Sequence, residues 1–232
     1  MKQHKILINN IPSIVFGEPS DKVFIYVHGK MSRKEYADSF AVIAEKYGYQ
    51  TLSFDLPEHG ERTDKTYRCD VWNWIKDLTS IADYVYDKWS DVSLFACSLG
   101  AYFSLNAYAD RSFGKIIFQS PIVDMQWLVE HIMLWSNVTA EMLEEKKEID
   151  NPIDTLRWDY FLYIKNHPVT SWHKGTNILY GSLDELQPYE SIADFANRFE
   201  AKVTVSENSK HPFMEEKDFS IVENWITDIL KE

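Results

Sequence analysis

Strand-like and helix-like segments alternate along most of this chain, and that alternation constrains the fold more than any other feature of the sequence. Apolar runs typical of buried strands, such as residues 23–27 and 91–97, are each followed by a segment with helical periodicity. Parallel strands need long crossover connections, which are usually helices. The pattern therefore predicts an α/β fold with a mostly parallel sheet and helices on both faces, opened by an antiparallel hairpin at residues 6–9 and 11–16.

The alternation is interrupted between residues 121 and 171, where helical periodicity continues and no strand is indicated. A stretch of this length between two strands is more than an ordinary loop. We therefore expect a small helical cap over residues 121–171, inserted into one core domain that is formed by residues 1–120 and 172–232.

Composition limits the classes of partner and compartment. The 232 residues carry a formal charge of -12, which disfavours binding to nucleic acid or to anionic lipid. The two cysteines, Cys69 and Cys97, lack the spacing of metal ligands, so neither a metal site nor a disulfide framework is indicated. No apolar run has the length of a signal-peptide core or a membrane span. These features predict a soluble, cytoplasmic protein with no membrane partner.

Ser98 lies between a predicted strand and a predicted helix, within the sequence ACSLG. A nucleophile on such a tight turn projects from the sheet only if the residues two before and two after it are small. Ser98 meets this condition with Ala96 and Gly100, whereas Cys97 has bulky neighbours at the same distances. The pentapeptide alone is equally consistent with a serine that caps the helix.

A second turn of interest follows the strand at residues 23–27. Gly29 permits a sharp bend, which would direct the amide of Lys30 or of Met31 toward the strand ends. The Leu99 amide lies at a predicted helix N-terminus, where unpaired N–H groups favour negative charge. One of the first two amides and that of Leu99 would form an oxyanion hole, while His28 is expected to fix the loop by hydrogen bonding.

A serine nucleophile needs a base and an orienting acid, and two further strand ends supply them. Asp184 follows a predicted strand at residues 176–180, and His211 follows another at residues 201–205. Carboxyl ends of parallel strands meet at one edge of a sheet, so both side chains are expected near Ser98. The chain order serine, aspartate, histidine is also that of a nucleophile elbow. Asp124 remains an alternative acid, because it too follows a strand.

Together these motifs resemble the α/β-hydrolase superfamily, specifically its serine esterase and lipase branch. The resemblance runs over residues 23–213 and rests on five segments, namely residues 28–29, 55–60, 96–100, 181–184 and His211. It implies the α/β-hydrolase fold, a catalytic triad of Ser98, His211 and Asp184, and an oxyanion hole formed by the Lys30 and Leu99 amides. It also implies a cap between the sixth and seventh strands.

The chain departs from the family pattern in three places. Ala96 stands where the elbow usually has its first glycine, and Glu58 stands where a glycine is common before the His-Gly pair. The glycine run of the lipase loop HGGG is absent, which leaves the ester specificity open.

The activity implied by the resemblance is hydrolysis of a carboxylic ester through an acyl-enzyme intermediate. The expected substrate is a short to medium acyl ester or a small aromatic ester, and no metal or organic cofactor is required. The same triad would also serve a thioesterase or an aminopeptidase-like hydrolase. A hypothesis of another class is a non-catalytic ligand receptor that has kept the fold. Oligomeric state is not indicated by the sequence.

Met31, Trp127 and Trp135 are the residues expected to contact substrate. Trp127 and Trp135 share a helical face with Leu128 and Ile132 in the inserted segment. That face would either pack on the core or roof the pocket above the nucleophile, where aromatic walls favour apolar ligands and limit acyl length.

Overall fold

A computed structural model describes the whole chain, from Met1 to Glu232. Its main sheet has eight strands in the order β1-β2-β4-β3-β5-β6-β9-β10. Its antiparallel edge contains two strand pairs. In these, β2 (Ile11–Phe16) pairs with β1 (Gln3–Ile8) on one side and with β4 (Gln50–Phe54) on the other. The remaining pairs are parallel and involve β3 (Lys22–Val27), β5 (Asp91–Cys97), β6 (Ile116–Gln119), β9 (Asn177–Gly181) and β10 (Lys202–Ser206). The predicted α/β fold with a mostly parallel sheet is confirmed.

Helices cover both faces of this sheet. One face carries α1 (Asp38–Glu45), which follows a 3₁₀ turn at Lys34–Ala37, and α8 (Glu216–Lys231). The other face carries α2 (Val71–Lys88), α3 (Leu99–Ala107) and α7 (Tyr189–Phe199). None of the helices combines the length and apolar composition needed to cross a bilayer.

The start and the buried face of α2 illustrate how local sequence sets these elements. The Asp70 side chain accepts a hydrogen bond from the Asn73 amide at 2.9 Å and so satisfies one of the unpaired N–H groups of the first turn. Trp74 lies on the buried face and stacks on Phe103 of α3, with ring centroids 4.3 Å apart. This contact fixes α2 against the helix that follows Ser98.

The segment between β6 and β9 contains α4 (Met125–Trp135), α5 (Ala140–Lys146), β7 (Glu148–Asp150), β8 (Thr155–Arg157) and α6 (Trp158–Asn166). The expectation that residues 121–171 hold no strand is wrong, because β7 and β8 form an antiparallel hairpin. The strands are too short to show periodicity, and the turn between them is set by Asn151. Its Oδ1 accepts from the amides of Ile153 and Asp154, at 2.9 and 3.2 Å.

Candidate active site

Ser98 follows directly after β5 in a backbone conformation that non-glycine residues rarely adopt, with φ 51° and ψ -123°. It occupies the N-cap position of α3, yet its side chain makes no capping hydrogen bond. The need for a small residue two positions later is visible in the packing. A Cβ on Gly100 would lie 2.5 Å from the carbonyl oxygens of Val27 and His28, so only glycine lets α3 approach β3 this closely.

The Ser98 hydroxyl takes part in a chain of hydrogen bonds that crosses three strand ends. Ser98 Oγ lies 2.7 Å from His211 Nε2, and His211 Nδ1 lies 2.7 Å from Asp184 Oδ2. A carboxylate can only accept, so Nδ1 carries the proton and Nε2 is left to accept from the hydroxyl. The structure therefore brings together three side chains that are distant in sequence, in the arrangement of a nucleophile, a base and an orienting acid.

The Asp184 carboxylate is buried and held by its own loop. Its Oδ1 accepts from the amides of Leu186 and Gln187, at 2.8 and 3.1 Å, which leaves Oδ2 for the histidine. Asp124, the alternative acid, is engaged elsewhere. It caps α4 by accepting from the Trp127 amide at 2.9 Å and makes no hydrogen bond to His211.

Cys97 is the last residue of β5, and its thiol is unsuited to nucleophilic attack. Burial raises the pKa of Cys97 to about 11, although a backbone hydrogen bond from Gly29 acts in the opposite direction. The thiolate is the reactive form of cysteine, and it is scarce near neutral pH at such a pKa.

His28, at the end of β3, is fully buried and fixes two loops. Its Nδ1 donates to the Gly29 carbonyl at 2.8 Å, and its Nε2 accepts from the Leu56 amide at 3.2 Å. Burial lowers the pKa of His28 to about 4, so the ring is neutral at physiological pH and both nitrogens are used. The position agrees with a loop-fixing role.

His59 holds the turn after Gly29 from the other side. Its Nδ1 donates to the Pro57 carbonyl at 2.8 Å, and its Nε2 accepts from the Met31 amide at 3.2 Å. The Met31 amide is therefore occupied, whereas the Lys30 amide makes no hydrogen bond within the protein. Of the two amides that the sequence offered for an oxyanion hole, Lys30 is the one with a free N–H.

A buried ion pair anchors the loop that carries His59. Lys34 Nζ lies 2.7 Å from Asp55 Oδ2, and both side chains are almost completely buried. Burial lowers the pKa of Lys34, but hydrogen bonds to Asp55 and Glu61 outweigh it and raise the pKa above its ordinary value. Asp55 also accepts from the Lys34 and Glu61 amides, which ties the loop after β4 to the loop after β3.

An apolar cavity of about 140 Å³ opens beside Ser98, beneath the inserted segment. Eleven of its fourteen lining residues are hydrophobic, and seven of the fourteen come from α4, the β7–β8 turn and α6. The lining residues are Lys30, Cys69, Ser98, Leu99, Phe103, Ile122, Met125, Leu128, Val129, Ile132, Ile153, Asp154, Tyr160 and Leu186.

A second, polar cavity of about 630 Å³ lies against the β7–β8 hairpin. Only three of its thirteen lining residues are hydrophobic, namely Met31, Cys69 and Leu99. Its charged side chains are four bases and four acids: Lys30, Lys65, Arg68, Arg157, Glu58, Glu148, Asp150 and Asp154. Despite these carboxylates, the chain has no group of three or more His, Cys, Asp or Glu side chains arranged to hold a metal ion.

The three residues expected to contact substrate lie in different places. Met31 is 89% exposed and lines the polar cavity. Trp127 stacks on His131 with ring centroids 3.6 Å apart, and Trp135 is 46% exposed; neither tryptophan lines the cavity beside Ser98. The helical stripe drawn from the sequence spans two faces of α4, and only its aliphatic members Leu128 and Ile132 point to the cavity.

Comparison with known proteins identifies the architecture. No protein-family model matches the sequence, and no curated protein sequence matches it. Solved structures do match over nearly the whole chain. Est1E from Butyrivibrio proteoclasticus, solved with ferulic acid bound, has a TM-score of 0.78 at 18% identity, covering 98% of both chains. Mouse alpha/beta hydrolase domain-containing protein 10 also has a TM-score of 0.78, at 17% identity, over 100% of this chain and 99% of that one.

A soluble variant of monoglyceride lipase from Saccharomyces cerevisiae, in complex with a substrate analogue, has a TM-score of 0.74 at 13% identity over 99% and 94% of the two chains. This chain has the α/β-hydrolase fold. The strand ends that carry Ser98, Asp184 and His211 form the edge where ligands bind in open sheets of this kind.

Within the α/β-hydrolase fold, the site residues that sequence reasoning missed come from the inserted hairpin. Ile153 and Asp154 line the cavity beside Ser98, and Asp154 forms an ion pair with Lys30 at 2.6 Å. Lys30 Nζ also donates to the Ile153 carbonyl at 3.1 Å. The Asn-Pro dipeptide at residues 151–152 was the available signal, because this pair favours turns.

Proposed function

We propose that this chain is a serine hydrolase that cleaves carboxylic esters through an acyl-enzyme intermediate. The observation that carries the proposal is the chain of two 2.7 Å hydrogen bonds from Ser98 through His211 to Asp184. A serine hydroxyl is a weak nucleophile at its ordinary pKa, and an adjacent base held by a third group is what activates it.

In the proposed mechanism, His211 Nε2 takes the hydroxyl proton as Ser98 Oγ attacks the ester carbonyl. Asp184 holds the imidazole in the required tautomer and stabilises its cation. The imidazolium then protonates the leaving alcohol, and an acyl group remains on Ser98. Water then attacks the acyl carbon while His211 takes a proton from it. His211 returns that proton to Ser98 Oγ as the bond between Oγ and the acyl carbon breaks, and the acyl group leaves as a carboxylic acid.

The oxyanion that forms in each step is assigned to the Leu99 and Lys30 amides. Leu99 is the first residue of α3, where N–H groups have no intrahelical acceptor and the helix dipole favours negative charge. The Lys30 N–H makes no hydrogen bond in the protein, and the neighbouring Met31 N–H is committed to His59. Donors held ready in this way stabilise charge without reorganising during the reaction.

The size of the apolar cavity limits the acyl group. A cavity of about 150 Å³ is known to hold a benzene molecule, and the cavity beside Ser98 measures about 140 Å³. We therefore propose a short acyl chain or a single aromatic ring as the acyl group. Residues 121–171 act as the cap, because they supply eight of the fourteen residues that line this cavity.

One of the solved structures with this fold is described as a monoglyceride lipase in complex with a substrate analogue, and another holds ferulic acid, a small aromatic acid. Both support ester chemistry here. The test is a panel of acyl esters, acyl thioesters and aminoacyl amides given to the purified protein, together with labelling by a fluorophosphonate. We expect covalent labelling of Ser98 and turnover of esters with small acyl groups.

A labelled protein that turns over only thioesters or amides would keep the triad and replace the ester assignment. A protein that is neither labelled nor active on any member of the panel would overturn the proposal and would favour a ligand receptor.

A further inference from the structure

The apolar cavity beside Ser98 and the polar cavity that adjoins it at Leu99 differ so strongly in polarity that they constrain both halves of the substrate. We propose that the substrate is an ester of a small apolar acid with a neutral, hydroxyl-rich alcohol such as a polyol or a sugar, and that the polar cavity binds this alcohol. The inference rests on the proposed function, since it names the leaving group of that reaction.

The cavities are neighbours with a shared boundary. Lys30, Cys69, Leu99 and Asp154 line both of them, and the 2.6 Å ion pair between Lys30 and Asp154 lies at that boundary. An ester bound with its carbonyl at the Leu99 and Lys30 amides would therefore place its acyl group in one cavity and its alcohol group in the other. One of these two groups must be apolar and small, and the other must be polar.

The order of product release indicates which cavity holds the acyl group and which holds the alcohol. The alcohol leaves first, while the acyl group stays covalently bound until water arrives. The apolar cavity of about 140 Å³ suits the acyl group that stays, because its walls are mainly hydrophobic and its volume matches a small acyl group. The polar cavity of about 630 Å³, with the exposed side chain of Met31 on its wall, suits the alcohol that leaves and the water that follows.

Charge balance in the polar cavity indicates a neutral ligand. Its four basic and four acidic side chains sum to zero, so the cavity attracts neither an anion nor a cation as a whole. Carboxylates accept hydrogen bonds and ammonium or guanidinium groups donate them, whereas a hydroxyl can do both. A ligand with several hydroxyl groups can therefore pair with both kinds of side chain.

Two of these charged groups, Lys65 and Glu58, are free to form hydrogen bonds with a hydroxyl group of the ligand. Arg68 is paired with Glu148 at 2.6 Å, but neither Lys65 nor Glu58 forms an ion pair. Glu58 uses one oxygen, Oε2, to accept from the Cys69 amide at 2.7 Å, and its Oε1 accepts no hydrogen bond.

Glu58 is also held where glycine would be less strained. Its φ is 63°, in the left-handed region that is strained for a residue with a side chain. A glutamate kept at such a position, with its side chain on the wall of the polar cavity, supports a binding role for its carboxylate.

The experiment compares two butyrate esters whose alcohols have six-membered rings of similar size. Glucose 6-butyrate carries hydroxyl groups on the ring, and cyclohexylmethyl butyrate carries none. The measured quantity is the ratio of their kcat/KM values. We expect this ratio to favour the glucose ester by tenfold or more in the wild type, because only that alcohol can pair with the cavity walls.

Glu58→Gly and Lys65→Ala should each reduce the ratio by about tenfold, the lower end of the range expected on losing one charge-assisted hydrogen bond. Glycine relieves the backbone strain at position 58, so the first variant should fold. Glu200→Gly is a matched control, because Glu200 is also an exposed glutamate with positive φ, 52°, and it lies outside both cavities. The control should keep the wild-type ratio.

Three results would overturn the inference while leaving the proposed function in place. The first is a wild type that cleaves both butyrates with a ratio near one or below. The second is a high ratio that neither Glu58→Gly nor Lys65→Ala lowers. The third is a preference for the methyl ester of a hydroxyl-rich acid, such as methyl gluconate. That result would place the acyl group, and not the alcohol, in the polar cavity. A protein that is inactive on every ester and resists fluorophosphonate would overturn both proposals.

Discussion

The loops at the carboxyl ends of the strands and the inserted segment of residues 121–171 form two sides of one site, and they differ in how their side chains are held. The strand-end side consists of polar groups whose hydrogen bonds are satisfied one by one, as at Asp184, whose Oδ1 accepts from two amides. The inserted side consists mainly of apolar groups, namely the aliphatic side chains of α4 and the ring of Tyr160 on α6, which are held by packing.

Because of this difference, we expect the strand-end side to tolerate few substitutions and the inserted side to tolerate more. Hydrogen bonds are directional, so the strand-end side tolerates little change in geometry. Apolar packing is less directional, and volume changes alter which ligand fits before they abolish the fold. Substitutions on the strand-end side should therefore abolish turnover, and those on the inserted side should change substrate preference.

The largest effect is expected at Ser98. Ser98→Ala should fold normally but lose turnover by about a millionfold, because it removes the proposed nucleophile. Turnover and labelling by a fluorophosphonate measure this loss. Cys97→Ala is the control and should keep both, since burial raises the pKa of that thiol to about 11. Labelling lost only in the cysteine variant would contradict the assignment.

The next largest effect is expected at Asp184. Asp184→Asn should lower turnover by about ten-thousandfold, because the amide no longer holds His211 in the tautomer that accepts the serine proton. Asp124→Asn should have a mild effect, since Asp124 caps α4 and makes no hydrogen bond to His211. Steady-state kinetics of the two variants decide between them. If Asp124→Asn were the crippled one, the acid of the triad would have to be reassigned.

A third prediction concerns pH and His28. Burial lowers the pKa of His28 to about 4 in the folded chain, against 6.5 ordinarily. Between these values the unfolded chain binds a proton that the folded chain does not, so stability falls as pH drops from about 6.5 toward 4, by up to about 3 kcal/mol. Urea unfolding at a series of pH values measures this slope.

His28→Asn should lose part of that slope, because the titrating group is gone, while also being less stable at neutral pH. Replacement of the exposed His4 by Asn is the control and should keep the wild-type slope. An unchanged slope in His28→Asn would mean that His28 does not carry this pH dependence.

The smallest effect is expected in the inserted segment, and it concerns acyl length. Ile132→Ala should enlarge the apolar cavity, so that esters one carbon longer gain about fourfold in relative kcat/KM, the value of one buried methylene. Nitrophenyl esters of increasing acyl length measure this profile, and a thermal melt records the cost to stability.

Trp135→Ala is the matched control on the same helix. Its side chain is 46% exposed and does not line the cavity, so the profile should not change. A shift caused by Trp135→Ala and not by Ile132→Ala would show that α4 presents its aromatic side to the substrate.

Sequence reasoning went furthest for the strand-end residues. Ser98, Asp184 and His211 were selected because each follows a strand, and parallel strands bring such positions to one edge whatever lies between them. The cap of α2 is also of a kind that sequence indicates, because Asp70 directly precedes an apolar periodic segment and accepts from the Asn73 amide.

The inserted segment is the part of the molecule that is least predictable from sequence, for two physical reasons. The strands of the β7–β8 hairpin are each three residues long, which is too short for an alternating pattern to be recognised. The stripe on α4 included Trp127 and Trp135 together with Leu128 and Ile132, and periodicity alone does not say which edge of such a stripe becomes buried.

By itself, then, the sequence determined the parallel sheet, the order of the strand-end loops and the small residue required at Gly100, because these depend on local propensity and on the geometry of a sheet. Only the tertiary structure decided that the Met31 amide is taken by His59 and the Lys30 amide is free, and that Asp154 reaches Lys30 from a hairpin far along the chain. Such contacts join residues whose separation in sequence carries no periodic signal, and they form only when the packing of the inserted segment on the sheet has fixed their distances.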